Sequence, residues 1–162
     1  MNKKNMVLIL LILTVLVACS PIPHRQSTNL QTAQDCLESF FSLLSFGAYE
    51  QAAFLYGGSY EELRNMNPVI PADEYATLWE NACTTNGYQC LPIRQVLQAY
   101  EDESGIFHFL VEFKGHADDE LLSVGPCCGA DATQMPPRSQ FEYTVIRRQG
   151  KYLVQELPVF IP

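Results

Sequence analysis

The hydrophobic period of this chain changes midway, and that change limits the architectures open to it. From Thr32 to Gly47 the apolar residues Ala33, Cys36, Leu37, Phe40, Phe41 and Leu44 recur at steps of three and four, the spacing of one buried helix face. From Ile106 to Lys114 the step is two: Phe107, Phe109, Val111 and Phe113 fall on one side, and His108, Glu112 and Lys114 on the other. Only an extended strand gathers such residues on a single face. Helical segments early and strands late predict an α+β fold, with N-terminal helices packed on a curved, mostly antiparallel four-stranded sheet.

Further helices are expected over Tyr49 to Tyr56, stopped by Gly57-Gly58, over Ser59 to Met66, and after Pro71. The last of these has Asp73 and Glu74 in its first turn and places Tyr75, Leu78, Trp79 and Ala82 on one face. Thr32 is the expected N-cap of the first helix. Strands are expected over Pro92 to Glu101, Ile106 to Lys114, Gln140 to Arg148 and Lys151 to Phe160. Turns at Asp102-Glu103-Ser104-Gly105 and Gln149-Gly150 join two pairs of them, and Gly115 to Pro137 reads as a long loop.

The N-terminus carries a different kind of information. Met1-Asn2-Lys3-Lys4-Asn5 is cationic, and Met6 to Ala18 is apolar apart from Thr14, the order of an export signal. A helix of about 12 such residues is roughly 18 Å long, short of the ~30 Å hydrocarbon core of a bilayer. The run ends Leu16-Val17-Ala18-Cys19-Ser20, which resembles the lipobox of bacterial lipoproteins. That resemblance implies cleavage after residue 18, lipid on Cys19, and location at a cell membrane or outer membrane with the domain on the extracytoplasmic side of the envelope. Residues 19–31, with Pro21, Pro23, Ser27 and Thr28, then read as a lipidated flexible tether, and 32–162 as the folded domain. Two or more acyl chains are needed for stable attachment, since a single chain binds only marginally at ~0.8 kcal/mol per buried CH₂.

Charge supports this division of labour. With Lys3 and Lys4 removed with the signal, 8 basic residues face 18 acidic ones, a mature charge of −10 on 144 of the 162 residues. Such a surface repels nucleic acid and anionic headgroups, so the membrane is a partner through the N-terminal lipid and nucleic acid is not a partner.

Of six cysteines Cys19 is assigned to lipid, which leaves Cys36, Cys83, Cys90, Cys127 and Cys128. In an exported chain these are disulfide candidates. Cys83 and Cys90 flank the turn-rich Thr-Thr-Asn-Gly-Tyr-Gln, and closing that loop is worth roughly 2.5 kcal/mol on chain-entropy grounds. Cys36 with Cys127 or Cys128 is the remaining expected bridge, with a strained vicinal pair as a further option, and one thiol is left over.

The element order, the step Phe46-Gly47-Ala48-Tyr49-Glu50-Gln51-Ala52-Ala53 into a second helix, and the terminal Lys151-Tyr152-Leu153-Val154-Gln155-Glu156 resemble the NTF2-like (cystatin-like) superfamily over residues 32–160. The resemblance implies a cone whose sheet wraps its helices around an apolar pocket, with Tyr56, Tyr75, Trp79, Tyr100 and Tyr143 as candidate lining residues. Proton-transfer members of such a family need a carboxylate tuned by an apolar wall. No Asp falls on a core-facing strand position here: Asp102 belongs to a turn, and Asp118 and Asp119 to the loop. The plainer reading makes these aromatics core.

Cys127-Cys128 with His116 has the donor types of a zinc or copper site but not the spacing. His24 and His108 read as solvated, and Asp118-Asp119-Glu120 lacks the loop pattern of a calcium site. No catalytic residues, metal or cofactor are expected. The expected role is a non-catalytic module that binds a small apolar ligand or a protein, or pairs with a second copy as a homodimer. The alternatives are a dehydratase-type enzyme using the cone pocket, and a thiol or metal protein centred on Cys127-Cys128.

Overall fold

In the computed structural model, which describes residues 28–117 and 120–162, the first helix, α1, spans Thr28–Ser45 and buries Ala33, Leu37, Phe40, Phe41 and Leu44. The expected export signal, Cys19, the tether up to Ser27, and Asp118 and Asp119 lie outside the described residues. The helix begins four residues ahead of the expected cap: Thr32 Oγ1 donates back to the Thr28 carbonyl at 2.8 Å, a bond made inside a helix. Two contacts extend it. Gln31 donates to Asp35 one turn on at 2.8 Å, and Tyr152 Oη donates to Asn29 Oδ1 at 3.2 Å. The expectations of a Thr32 cap and a tether reaching Gln31 are therefore corrected. At its other end α1 closes in a Schellman turn, in which the Ala48 N–H reaches Leu43 O at 2.9 Å and the Gly47 N–H reaches Leu44 O at 3.1 Å. Gly47, at φ +75°, supplies the left-handed residue that turn requires.

Helix α2 (Tyr49–Ala53) is shorter than expected. The chain leaves it to lie against a strand, β5 (Lys151–Val154), where Tyr56 bridges Val154 and the Gly57 N–H donates to Val154 O at 2.8 Å. The Gly57-Gly58 pair is needed for that approach. A Cβ at Gly57 would sit 2.7 Å from Leu153 Cβ, and one at Gly58 would overlap the Gln155 carbonyl oxygen. Helix α3 (Glu61–Met66) and helix α4 (Tyr75–Thr84) follow, and α4 buries Leu78, Trp79 and Ala82. The disulfide Cys83–Cys90 then turns the chain back, with its Cα atoms 5.3 Å apart.

Strands β2 (Ile93–Glu101), β3 (Phe107–Phe113), β4 (Phe141–Arg148) and β5 form an antiparallel sheet in chain order. The α+β expectation thus holds, with the alternate residues Phe107, Phe109, Val111 and Phe113 buried against the helices. One strand differs from expectation. Lys151 to Phe160 breaks after Val154, and Val159–Phe160 (β6) pairs instead with Tyr88–Gln89 (β1) in a separate two-stranded sheet. At the break the Glu156 carboxylate accepts from the Thr144 N–H at 2.7 Å, so a side chain replaces the missing strand as the ladder's acceptor. Pro158, which has no N–H to give, lies between the break and β6.

Candidate functional site

The five expected pocket residues do not meet in one cavity. Trp79, Tyr56 and Tyr143 are buried in the core, where they fill the space between the helices and the sheet. Phe41 packs edge-on to Phe113 at 4.7 Å and to Tyr143 at 4.9 Å. Phe40 meets Trp79 at 5.4 Å, and Trp79 meets Tyr56 at 5.0 Å. Their polar ends are satisfied within this packing: Trp79 Nε1 donates to Tyr60 Oη at 3.0 Å, and Tyr56 Oη to Ser59 O at 3.0 Å. Burial raises the Tyr56 and Tyr143 phenols well above their ordinary value and pushes Tyr60 up to about 12. Tyr75 lies at the rim, 4.5 Å from the Tyr60 ring. Tyr100 is on the far side of the sheet.

That outer sheet face gathers polar and aromatic side chains. On β3 and β4 the residues that alternate with the core positions point away from the helices. Two register shifts in β2 bring Gln98 and Tyr100 into line with them. The pairing then builds two cross-strand rows, Tyr100–His108–Thr144 and Gln98–Leu110–Glu142. With Glu156 leaning in from the β5–β6 connection, they line a recess of about 350 Å³. A second recess of about 720 Å³ shares Leu110, Glu142 and Glu156 and continues toward Arg138 and Phe160.

His108 is partly exposed to solvent, as the sequence suggested, and is also fixed. Its Nε2 lies 2.8 Å from Asp102 Oδ2, and its ring stacks on Tyr100 at 4.8 Å with 9° between the planes. Asp102 is itself held by the turn: its Oδ1 accepts from the backbone N–H groups of Ser104 at 2.8 Å and Ile106 at 3.0 Å. The His108 bond first, and the Ile106 N–H next, hold the Asp102 carboxyl below its ordinary value. Glu156 spends both oxygens on Thr144, at 2.7 Å to its N–H and 2.5 Å to its hydroxyl. Glu142 is exposed. The smaller recess therefore has a rigid aromatic and imidazole wall, an apolar floor at Leu110, and carboxylates with, among the described residues, no lysine or arginine in its lining.

The described cysteines fall into three environments. Cys83–Cys90 is bonded, as expected. The expected bridge from Cys36 is not formed. Its thiol faces β5 and donates to the Tyr152 carbonyl at 3.2 Å, and burial pushes it up to about 11. Cys127 and Cys128 are unbridged thiols in the Gly115–Pro137 loop, with Sγ atoms 2.9 Å apart. His116 is turned to Gln89, at 3.1 Å.

Hairpin arithmetic finds the Tyr100–His108 pair only when the loop is the three residues 103–105, closed by the Asp102 N–H on the Ile106 carbonyl at 2.9 Å, which places 101 opposite 107 and 100 opposite 108. The four-residue turn 102–105 read from the sequence places 101 opposite 106 instead, and the cue to the shorter loop is an Asp that folds over its own backbone. Glu156, which acts where a strand ends, leaves no comparable pattern. A scan against family profiles and searches of curated proteins and of solved structures find no match to this chain.

Proposed function

We propose that this chain is a lipid-anchored binding protein of a bacterial cell envelope, whose domain takes a basic protein segment on the outer face of its sheet. The observation that carries this reading is the recess around Tyr100, His108, Leu110 and Glu142. It presents carboxylate and an aromatic face, 47% exposed at Tyr100, to a group that is cationic at its tip and apolar along its stem. Lysine and arginine side chains have that form. The filled interior argues against a small apolar ligand inside an NTF2-like cone. A second copy is disfavoured on this face, because an isologous contact would bring the carboxylates of two identical recesses together without a lysine or arginine from either lining.

Anchoring rests on Leu16-Val17-Ala18-Cys19 and on the charge of the domain, which gives it no other attraction to an anionic membrane. Among the described residues no helix is long and apolar enough to cross a membrane. Labelled palmitate is expected to enter the wild type and not Cys19→Ala, and persistence of label in the variant would overturn the anchor. A fluorescent lysine- and arginine-rich peptide is expected to bind the wild type and to lose at least about tenfold in affinity, ~1.4 kcal/mol, with Glu142→Lys. Equal affinity for the two proteins would overturn the site.

A second reading, acid–base chemistry, has the Asp102–His108 pair in its favour, since a carboxylate orients catalytic imidazoles in this way. Hydrolysis of activated esters abolished by His108→Ala and retained by Tyr100→Leu would favour it over binding.

A further inference from the structure

Residues 125–137 form a loop with its own closure. At its neck Val124 and Arg138 exchange two backbone hydrogen bonds, each 2.9 Å. Inside it, Asp131 Oδ1 accepts from the N–H groups of Thr133 at 2.8 Å and Gln134 at 3.0 Å, and the Met135 N–H donates to Asp131 O at 2.8 Å. Compact loops of this kind hold their shape without the core and often carry function. This one presents a cysteine pair at a tight turn, closed by the Ala130 N–H on the Cys127 carbonyl at 3.0 Å. Both central residues are left-handed, Gly129 at φ +91° and Cys128 at φ +60°, and the second value is uncommon for a residue with a Cβ. The turn brings the two sulfurs to 2.9 Å with Cys128 exposed.

We propose that Cys127 and Cys128 are an exchangeable vicinal dithiol–disulfide site that accepts its disulfide from an external disulfide donor. The geometry supplies proximity, and Cys83, Cys90 and Cys36 each have a partner of their own, the first two in a disulfide and the third in the Tyr152 carbonyl. The exposed Cys128 loses its proton and attacks one sulfur of R–S–S–R. A Cys128–S–S–R bond forms, the donor's S–S bond breaks, and one R–S⁻ leaves. Cys127 loses its proton and attacks Cys128 Sγ, which closes the vicinal ring and expels the second R–S⁻. The two cysteines give up two electrons and two protons, and the donor leaves as two R–SH. A ring between adjacent residues departs from relaxed disulfide geometry and is correspondingly easy to reduce, so the step runs in both directions.

Tryptic cleavage makes the test direct, because Lys114 and Arg138 bound a peptide, 115–138, that holds these two cysteines alone, while Cys36 lies in 26–64 and the Cys83–Cys90 pair in 65–94. The full chain in detergent is first reduced mildly, then exposed to oxidised glutathione, quenched in acid, alkylated and digested. The wild-type 115–138 peptide is expected to be lighter by two hydrogens and unalkylated, and to regain both alkyl groups after dithiol treatment. Cys127→Ser is expected to trap glutathione on Cys128. Wild-type protein that keeps glutathione on Cys128 without ring closure, that alkylates at both thiols, or that links 115–138 to 26–64 would overturn the proposal. So would a Cys127→Ser variant that holds no glutathione.

Discussion

The Asp102 carboxylate joins the fold to the outer face, since the same group closes the β2–β3 turn and fixes His108. Its folded-state carboxyl ionises below the ordinary 3.8. Its contribution to stability is therefore complete above that pH and is lost as the pH falls through the lowered folded value. Asp102→Asn keeps an oxygen for the Ser104 and Ile106 N–H groups but removes the charge, so the acid limb of Tm against pH is expected to flatten; an unchanged limb would contradict the pairing. Cys36 behaves oppositely. Burial raises its thiol from 9.0 to about 11, and the stability it contributes, complete below pH 9.0, is lost as the pH climbs toward 11. Thiol alkylation of the native protein at neutral pH is expected to reach Cys128 well before Cys36.

At the scale of elements, the alternation in β3 makes opposite claims for neighbouring residues. Phe109→Ala removes a buried ring and is expected to destabilise by about 3–5 kcal/mol. Leu110→Ala, on the outer face, is expected to lose about 1 kcal/mol or less, and denaturant midpoints separate the two. Gly58→Ala is expected to lower Tm because its methyl has no room beside the Gln155 carbonyl. Serine at both Cys83 and Cys90 is expected to lower stability by roughly 2.5 kcal/mol on chain-entropy grounds. Equal stability of this variant and the oxidised wild type would contradict it.

The same contrast explains what the sequence disclosed. Long periodic segments such as α1 and β3 repeat their apolar spacing often enough to be read. The two-residue strands β1 and β6 have no period at all, and their pairing depends on a contact between residues about 70 apart. The break in β5 escapes because it is marked by a side-chain contact, Glu156 on the Thr144 N–H, that no hydrophobic period announces. The outer face was legible only through the alternation in β3, because the turn read over 102–105 is one residue too long to give the observed register of Tyr100 and His108. The resemblance to a cone placed Tyr100 in the same pocket as Trp79, whereas Trp79 is buried on helix α4 and the pairing of Tyr100 with His108 sets Tyr100 on the other side of the sheet.

For the whole molecule, the separation of tasks is electrostatic. The chain carries a net charge of −8, and −10 without its first eighteen residues, so lipid at Cys19 is the proposed source of membrane contact and the recess at Glu142 the proposed site for a basic partner. Attraction of this kind is screened over about 8 Å at physiological salt, and binding of a basic peptide is expected to weaken steadily as salt is raised, chiefly through slower association. A salt-independent affinity would place the contact on the apolar groove beside Phe54 and Tyr152 instead.

The most direct test is backbone amide shift mapping of the isotopically labelled protein titrated with a lysine- and arginine-rich peptide. The account predicts perturbations at Gln98, Tyr100, His108, Leu110, Glu142 and Thr144 that disappear in Glu142→Lys. Perturbations centred on α1 and β5, or none at all under conditions where the peptide binds, would contradict it.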